Sequence, residues 1–173
     1  GTHKEIKLLE DNTALKARIN ELGLRPKEFF KVDIGPVVLD GWMIKPINFD
    51  PQKKYPIIFH VYGEPAGSTV QDNWNTGDNM WHQYLANELG VLVVSIDNRG
   101  TKVPRGREFR KCIYRQIGLL AADDQAAAAK KMMTMFPFID SAHVGMWGWS
   151  GGGQMTLHGL FRHGDIFKTG IAV

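Results

Sequence analysis

The first part of the chain alternates apolar and polar residues over 4–9, then places Asp11-Asn12-Thr13 as N-caps ahead of Leu15, Ile19 and Leu22 at i, i+4 and i+7. That spacing predicts an amphipathic helix, and Gly23 stands where its C-terminal cap belongs. Strand-like runs at 29–34 and 37–44 flank Gly35-Pro36 and predict an antiparallel hairpin, with Asn48-Phe49-Asp50-Pro51 as the next turn. Beyond Tyr55-Pro56 the texture changes. Apolar runs of strand length at 57–61, 91–96, 143–148 and 169–173 alternate with helical patterns at 80–89, 120–135 and 152–163. Continuous apolar strands alternating with helices predict an α/β fold, a mostly parallel sheet with helices on both faces. There is no internal repeat and no low-complexity linker.

Composition narrows this picture without changing it. At about 150 residues per domain, 173 residues make one domain, or one plus a fragment of another. With 43% hydrophobic and 23% charged residues, intrinsic disorder is excluded. The longest apolar stretches, at 57–62 and 91–96, are strand-sized, far short of the roughly 18 residues a membrane helix needs. A single cysteine, Cys112, has no intrachain disulfide partner and leaves the redox compartment open. The net charge of +3 is mild, and basic residues cluster only at Arg105, Arg107, Arg110 and Lys111, read as a solvated loop face. A nucleic-acid footprint is denser than this. The start, Gly1-Thr2-His3-Lys4, lacks both Met and a signal pattern, and the chain closes on apolar Ile171-Ala172-Val173. A piece of a longer protein is therefore expected.

The residues that carry chemistry are Gly148-Trp149-Ser150-Gly151-Gly152, a G-x-S-x-G match placed where a strand should turn into a helix. With 19 Gly and four Ser in the chain, a chance match is expected about 0.05 times before that context is required. A serine in such a turn is strained, its hydroxyl is pushed out of the sheet, and residues without side chains must flank it so that backbones can pass. The following helix aims free N–H groups and its positive end at the reacting centre. Ser150 therefore reads as a nucleophile, against the alternative of a glycine-rich turn that only packs helix on strand. The motif satisfies neither of the glycine-rich phosphate-loop patterns. An acyl-transfer serine also needs an oxyanion hole, whose first donor is the Gly151 N–H. The second comes from the loop that opens Tyr62-Gly63-Glu64-Pro65, either the Tyr62 hydroxyl or a nearby backbone N–H. On the residues alone, Tyr62 reads more readily as a structural aromatic at a strand end.

Five landmarks in order then carry a family resemblance: His60-Val61-Tyr62-Gly63-Glu64-Pro65, Asp97-Asn98-Arg99-Gly100, Arg115-Gln116-Ile117-Gly118, Asp124-Gln125, and Trp147-Gly148-Trp149-Ser150. They resemble the dipeptidyl peptidase IV branch of the prolyl oligopeptidase family. Leu8-Leu9-Glu10-Asp11-Asn12-Thr13-Ala14-Leu15 is similar to the segment that joins that family's β-propeller to its hydrolase domain. The resemblance implies an α/β-hydrolase fold, with residues 1–25 as a linker from a preceding propeller and 26–173 as the first part of the catalytic domain. It implies a serine exopeptidase that removes N-terminal dipeptides or tripeptides, commonly after proline, with Ser150 as nucleophile and the Tyr62 hydroxyl and Gly151 N–H as oxyanion hole. It implies a peptide substrate, no cofactor, and a periplasmic, secreted or cell-surface location, and it admits a homo-oligomer. Three positions depart from the family: Gly151 stands where Tyr is usual, Glu64 where many relatives have a small residue, and Ala121 where an acidic residue is common.

Hydrolases of this kind place their partners in the order Ser, Asp or Glu, His, and only 23 residues follow Ser150. The chain stops at what would be the sixth of eight strands, before the loops expected to hold the acid and the histidine. The substrate's amino-terminal anchor and proline pocket also fall outside it by the same resemblance. His158, His163 and Asp165 follow Ser150 but sit on or just beyond the helix it starts, and are not expected to complete a triad. His60, His82 and His143 have no metal-ligand spacing. Trp147 and Trp149 read as core and pocket wall, Asp97 and Arg99 as a charged pair fixing a loop, and Asp123 and Asp124 as helix-start residues. An esterase or acyl-peptide hydrolase on the same fold, and a non-catalytic binding module, are the competing functions. The last strand is expected to lie at an unprotected sheet edge, so the isolated chain should associate or be poorly stable. It should also react with an active-site-directed fluorophosphonate far more slowly than an intact serine hydrolase. Labelling at the intact rate would contradict that.

Overall fold

In the computed structural model, which describes residues 6–73 and 77–173, the strand patterns join into one six-stranded sheet. The hairpin is formed by β1 (Glu28–Asp33) and β2 (Val38–Ile44), paired antiparallel with Phe30 opposite Gly41. At its turn Gly35 takes φ +94°, a conformation that favours glycine, and donates its N–H to the Asp33 carboxylate at 2.8 Å. Next come β3 (Tyr55–His60), α2 (Gly77–Asn87), β4 (Leu92–Asp97), α3 (Gly106–Lys111), α4 (Leu119–Met135), β5 (Ile139–Gly148), α5 (Gly151–Arg162) and β6 (Thr169–Ala172). The spatial order is β1-β2-β4-β3-β5-β6. The strands β4, β3, β5 and β6 run parallel, and β2 joins β4 antiparallel.

The middle of this sheet is apolar on both sides, which is why its strands read as unbroken runs rather than alternations. Every residue of β4 is buried. Successive side chains point to opposite faces: Val93 packs with Trp42, Leu85 and Ala86 under α2, while Val94 and Ile96 join Ala126, Ala129, Met132 and Met155 of α4 and α5. The alanines of α4 keep its sheet-facing side thin, so the helix lies close to the strands.

Differences from the sequence reading have local causes. The expected segment 4–9 begins among residues outside the described ones. Ahead of α1 (Thr13–Glu21), Asn12 adopts a left-handed φ of 56° and makes no cap with its side chain; the Asp11 carboxylate accepts the Thr13 N–H at 2.9 Å instead. Gly23 takes φ +60° after the helix, as its capping position requires. The apolar side of α1 meets no core, because none of its residues is buried. The basic cluster is exposed, but most of it lies on α3 rather than on a loop: Phe109 anchors that helix and Arg105 stacks over its ring at 4.4 Å. Asp123 and Asp124 occupy the fifth and sixth positions of α4, not its start, and both bind cations of other elements. No helix among the described residues is long and apolar enough to cross a membrane.

A ring cluster lies between α2 and the sheet. His60 stacks on Trp147 with centroids 4.7 Å apart, and His82, 2% exposed, packs against His60, Trp42 and Trp147. Burial first, then the positive charges of His60 and Lys27, lower the His82 pKa from 6.5 to about 3. The fold thus holds the neutral imidazole. Its contribution to stability is complete above pH 6.5 and is lost as the pH falls toward 3, by about 2–3 kcal/mol at pH 4.5. In denaturant titrations from pH 7 to 4.5, His82→Phe should flatten the loss of stability, whereas a slope equal to wild type would contradict this.

Candidate active site

Ser150 is exposed and sits between β5 and α5 with φ 58° and ψ −118°, outside the ordinary regions for an L-residue. Such strain costs on the order of 1–3 kcal/mol and persists only where the surroundings over-determine it. Here they do. The Ser150 N–H donates to the Val173 carbonyl at 2.7 Å, and the Val173 N–H donates to the Gly148 carbonyl at 3.1 Å, so the end of the β6 segment ties both sides of the turn. On the helix side, Gln154 N–H donates to the Ser150 carbonyl at 3.1 Å. A Cβ on either Gly148 or Gly152 would run into the Val61 carbonyl oxygen, and one on Gly153 would lie 2.5 Å from the Val173 oxygen. The glycines flanking Ser150 therefore admit two neighbouring backbones.

The approach of Val61 brings the next residue, Tyr62, to the serine. Tyr62, Ala66 to Thr69, Trp149 and Ser150 line one cleft of about 350 Å³, with His60 and Val61 at its base. The loop carrying Tyr62 is pinned at both ends by the residues that follow β4. At the near end, the buried Asn98 amide donates to the Gly63 carbonyl at 3.0 Å, and Gly63, at φ +80°, has Met155 of α5 where a side chain would be. At the far end, the Asp97 carboxylate accepts the N–H groups of Thr69 at 2.9 Å and Val70 at 3.3 Å. Burial raises the Asp97 pKa, against the lowering effect of these bonds. The Thr69 hydroxyl donates to Ser95 Oγ at 2.6 Å, and Ser95 donates to the His60 carbonyl at 2.7 Å. Beneath the ring of Tyr62 lies Gly67.

Asp97 and Arg99 are both structural, but they are not a pair. Arg99 binds Asp124 through Nη2 at 2.6 Å and Nε at 3.0 Å, and its backbone N–H meets the same carboxylate at 2.9 Å. The neighbouring Gln125 amide donates to Asn98 Oδ1 at 3.0 Å and to the Ile96 carbonyl at 2.8 Å. A line of contacts thus runs from α4 through Asn98 to Gly63 and Tyr62. Sequence reasoning assigned Asn98 and Gln125 no role; the only signal was their presence among the family landmarks. Trp147 is core and Trp149 is cleft wall, as expected.

The candidates downstream of Ser150 are engaged elsewhere. His163 Nε2 meets the Asp123 carboxylate at 2.8 Å, and Arg162 reaches the same group at 3.1 Å. Burial alone would raise the Asp123 pKa, but Arg162 and His163 together hold it below the usual carboxylate value. Asp165 pairs with Lys130 at 3.3 Å, and His158 lies against Gly118 at the start of α4. None of the three is brought to the cleft that Ser150 lines.

An exposed serine on a strained strand-to-helix turn, at the end of the parallel strands of a sheet ordered this way, defines the α/β-hydrolase class. Residues 77–173, more than half of the chain, match the prolyl oligopeptidase family, and the chain belongs to it. The chain is 36% identical over 172 residues to prolyl endopeptidase FAP of Bos taurus, covering 99% of this chain and 22% of that protein. To dipeptidyl peptidase 4 of Trichophyton equinum it is 35% identical over 172 residues, 98% of this chain and 22% of that one. The crystal structure of Porphyromonas gingivalis dipeptidyl peptidase 4 superposes with a TM-score of 0.86 and 42% identity, over 95% of this chain and 23% of its own. The chain thus spans about a fifth of the length of these relatives.

The contact of Val61 with the turn generates a stability prediction. Gly152→Ala should destabilise by more than the 1–3 kcal/mol typical of overpacking, because the added methyl meets backbone rather than a movable side chain. Denaturant midpoints compared with Gly90→Ala, where nothing lies within 4 Å of the new methyl, check this. The control also carries the strain of its own φ of +66°, so equal losses in the two variants would contradict the prediction.

Proposed function

We propose that the protein containing this chain is a serine exopeptidase that releases N-terminal dipeptides, commonly after proline, through an acyl-enzyme on Ser150. The observation that carries the reading is the exposed, left-handed Ser150 sharing a cleft with Tyr62 at the head of α5. The Ser150 Oγ attacks the scissile carbonyl and loses its proton to a general base. The C–N bond then breaks, with the proton passing to the leaving amine, and water hydrolyses the ester. The oxyanion is stabilised by the Tyr62 hydroxyl and by the Gly151 N–H, which as the first N–H of α5 has no partner within the helix and lies at its positive end. A histidine and an acid that follow in the hydrolase order complete the set in the whole protein.

The names of the fungal and bacterial relatives support the dipeptidyl activity, and the bovine relative's name supports proline at the cleaved bond. Residues 1–25 are proposed as the linker from a preceding domain, which the absence of buried residues in α1 supports. A periplasmic, secreted or cell-surface location is proposed on the same family resemblance. On Xaa-Pro amides the whole protein should lose all turnover with Ser150→Ala. Tyr62→Phe should lower kcat by about 10²–10³ with little change in KM. Turnover retained by Ser150→Ala would show that the nucleophile lies elsewhere.

A further inference from the structure

The two departures nearest Ser150 are in contact. A Cβ built on Gly151 meets the carboxyl carbon of Glu64 and lies 2.7 and 2.8 Å from its two oxygens. The Glu64 carboxylate therefore occupies the space that a side chain on residue 151 would fill, and a tyrosine at 151 is incompatible with Glu64 in this position. Glu64 is half-buried, and among the described residues it has neither an ion pair nor a side-chain hydrogen bond. The carboxylate thus lies beside the first turn of α5, whose positive end favours an anion, without being hydrogen-bonded to it. A charged group stands beside Ser150, in the space that a side chain on residue 151 would take.

We infer that Glu64, admitted by Gly151, is a specificity-determining residue that selects a cationic side chain on the acyl residue of the substrate. The inference rests on the proposed peptidase function. When the scissile carbonyl is held by the Gly151 N–H, its oxygen lies about 3 Å from that nitrogen. The carboxylate over the Gly151 α-carbon is then within reach of the side chain carried by the same substrate residue. A lysine or arginine there gains a charge-assisted partner and relieves the unpaired charge. An apolar residue meets a carboxylate that it can neither pair nor displace cheaply.

The test is a set of Gly-Xaa amides with a common leaving group and Xaa as Lys, Arg, Ala or Pro, hydrolysed by the whole protein and its variants. Glu64→Gln should lower the kcat/KM ratio of Gly-Lys to Gly-Ala at least roughly tenfold. Gly151→Ala, whose methyl pushes the flexible carboxylate aside, should move the ratio in the same direction. Added salt should lower the ratio in wild type but not in Glu64→Gln. If neither substitution changes the ratio, or if both lower all substrates together with thermal stability, Glu64 serves only the fold and the inference is overturned, while the peptidase reading stands. If the wild type hydrolyses none of these amides, nor any Xaa-Pro amide, the peptidase reading fails and takes the inference with it.

Discussion

The carbonyl of Val61 rests against the backbone of Gly148 and Gly152, with no room for a methyl group at either position. This contact joins the end of β3 to the turn between β5 and α5, and most of the site follows from it. It forces glycine on both sides of the serine, and it places the residue after Val61 beside that serine. The Val61 N–H continues the ladder by donating to the Trp147 carbonyl at 3.0 Å, so the approach is set by strand pairing rather than by loop packing. The strain at Ser150 is sustained because its N–H and the Gly148 carbonyl are both tied to Val173.

A second set of contacts converts that approach into a fixed orientation of Tyr62. Between Val61 and Val70, which pack into the two apolar clusters, the loop's geometry is set by Asp97 and Asn98, both at most 3% exposed. They are held in turn by α4, through Gln125 and through the Arg99–Asp124 pair, whose carboxylate side chain is 2% exposed. Buried ion pairs are poor sources of net stability but costly to break singly. Their value here is positional, because they fix where Tyr62 stands relative to Ser150.

Much of the fold was legible in the chain because its causes are local or periodic. Strand runs such as 57–61 and 91–96 carry the mark of two-sided burial, and the glycine pattern around Ser150 marks a backbone crossing. The hairpin announced itself by Gly35-Pro36. What escaped the reading depends on distant partners. Asp124 looks like a helix-start acid until Arg99, 25 residues away, is seen to take it, and Asn98 has no periodic signature because its function is to reach Gly63. The helix α3 escaped because a basic, exposed run with one apolar anchor, Phe109, has too little pattern to separate it from a loop. Glu64 and Gly151 were visible as separate oddities, but only the folded chain shows that the two residues fill one space.

In the proposed reaction, Ser150 attacks the carbonyl while the Tyr62 hydroxyl and the Gly151 N–H cradle the developing oxyanion. A crystal structure of the whole protein after reaction with a phosphonate inhibitor tests it most directly. The expected adduct has phosphorus bonded to Ser150 Oγ and one phosphonyl oxygen about 3 Å from both the Tyr62 hydroxyl and the Gly151 nitrogen. An adduct on another residue, or a phosphonyl oxygen turned away from Tyr62 and Gly151, would contradict it.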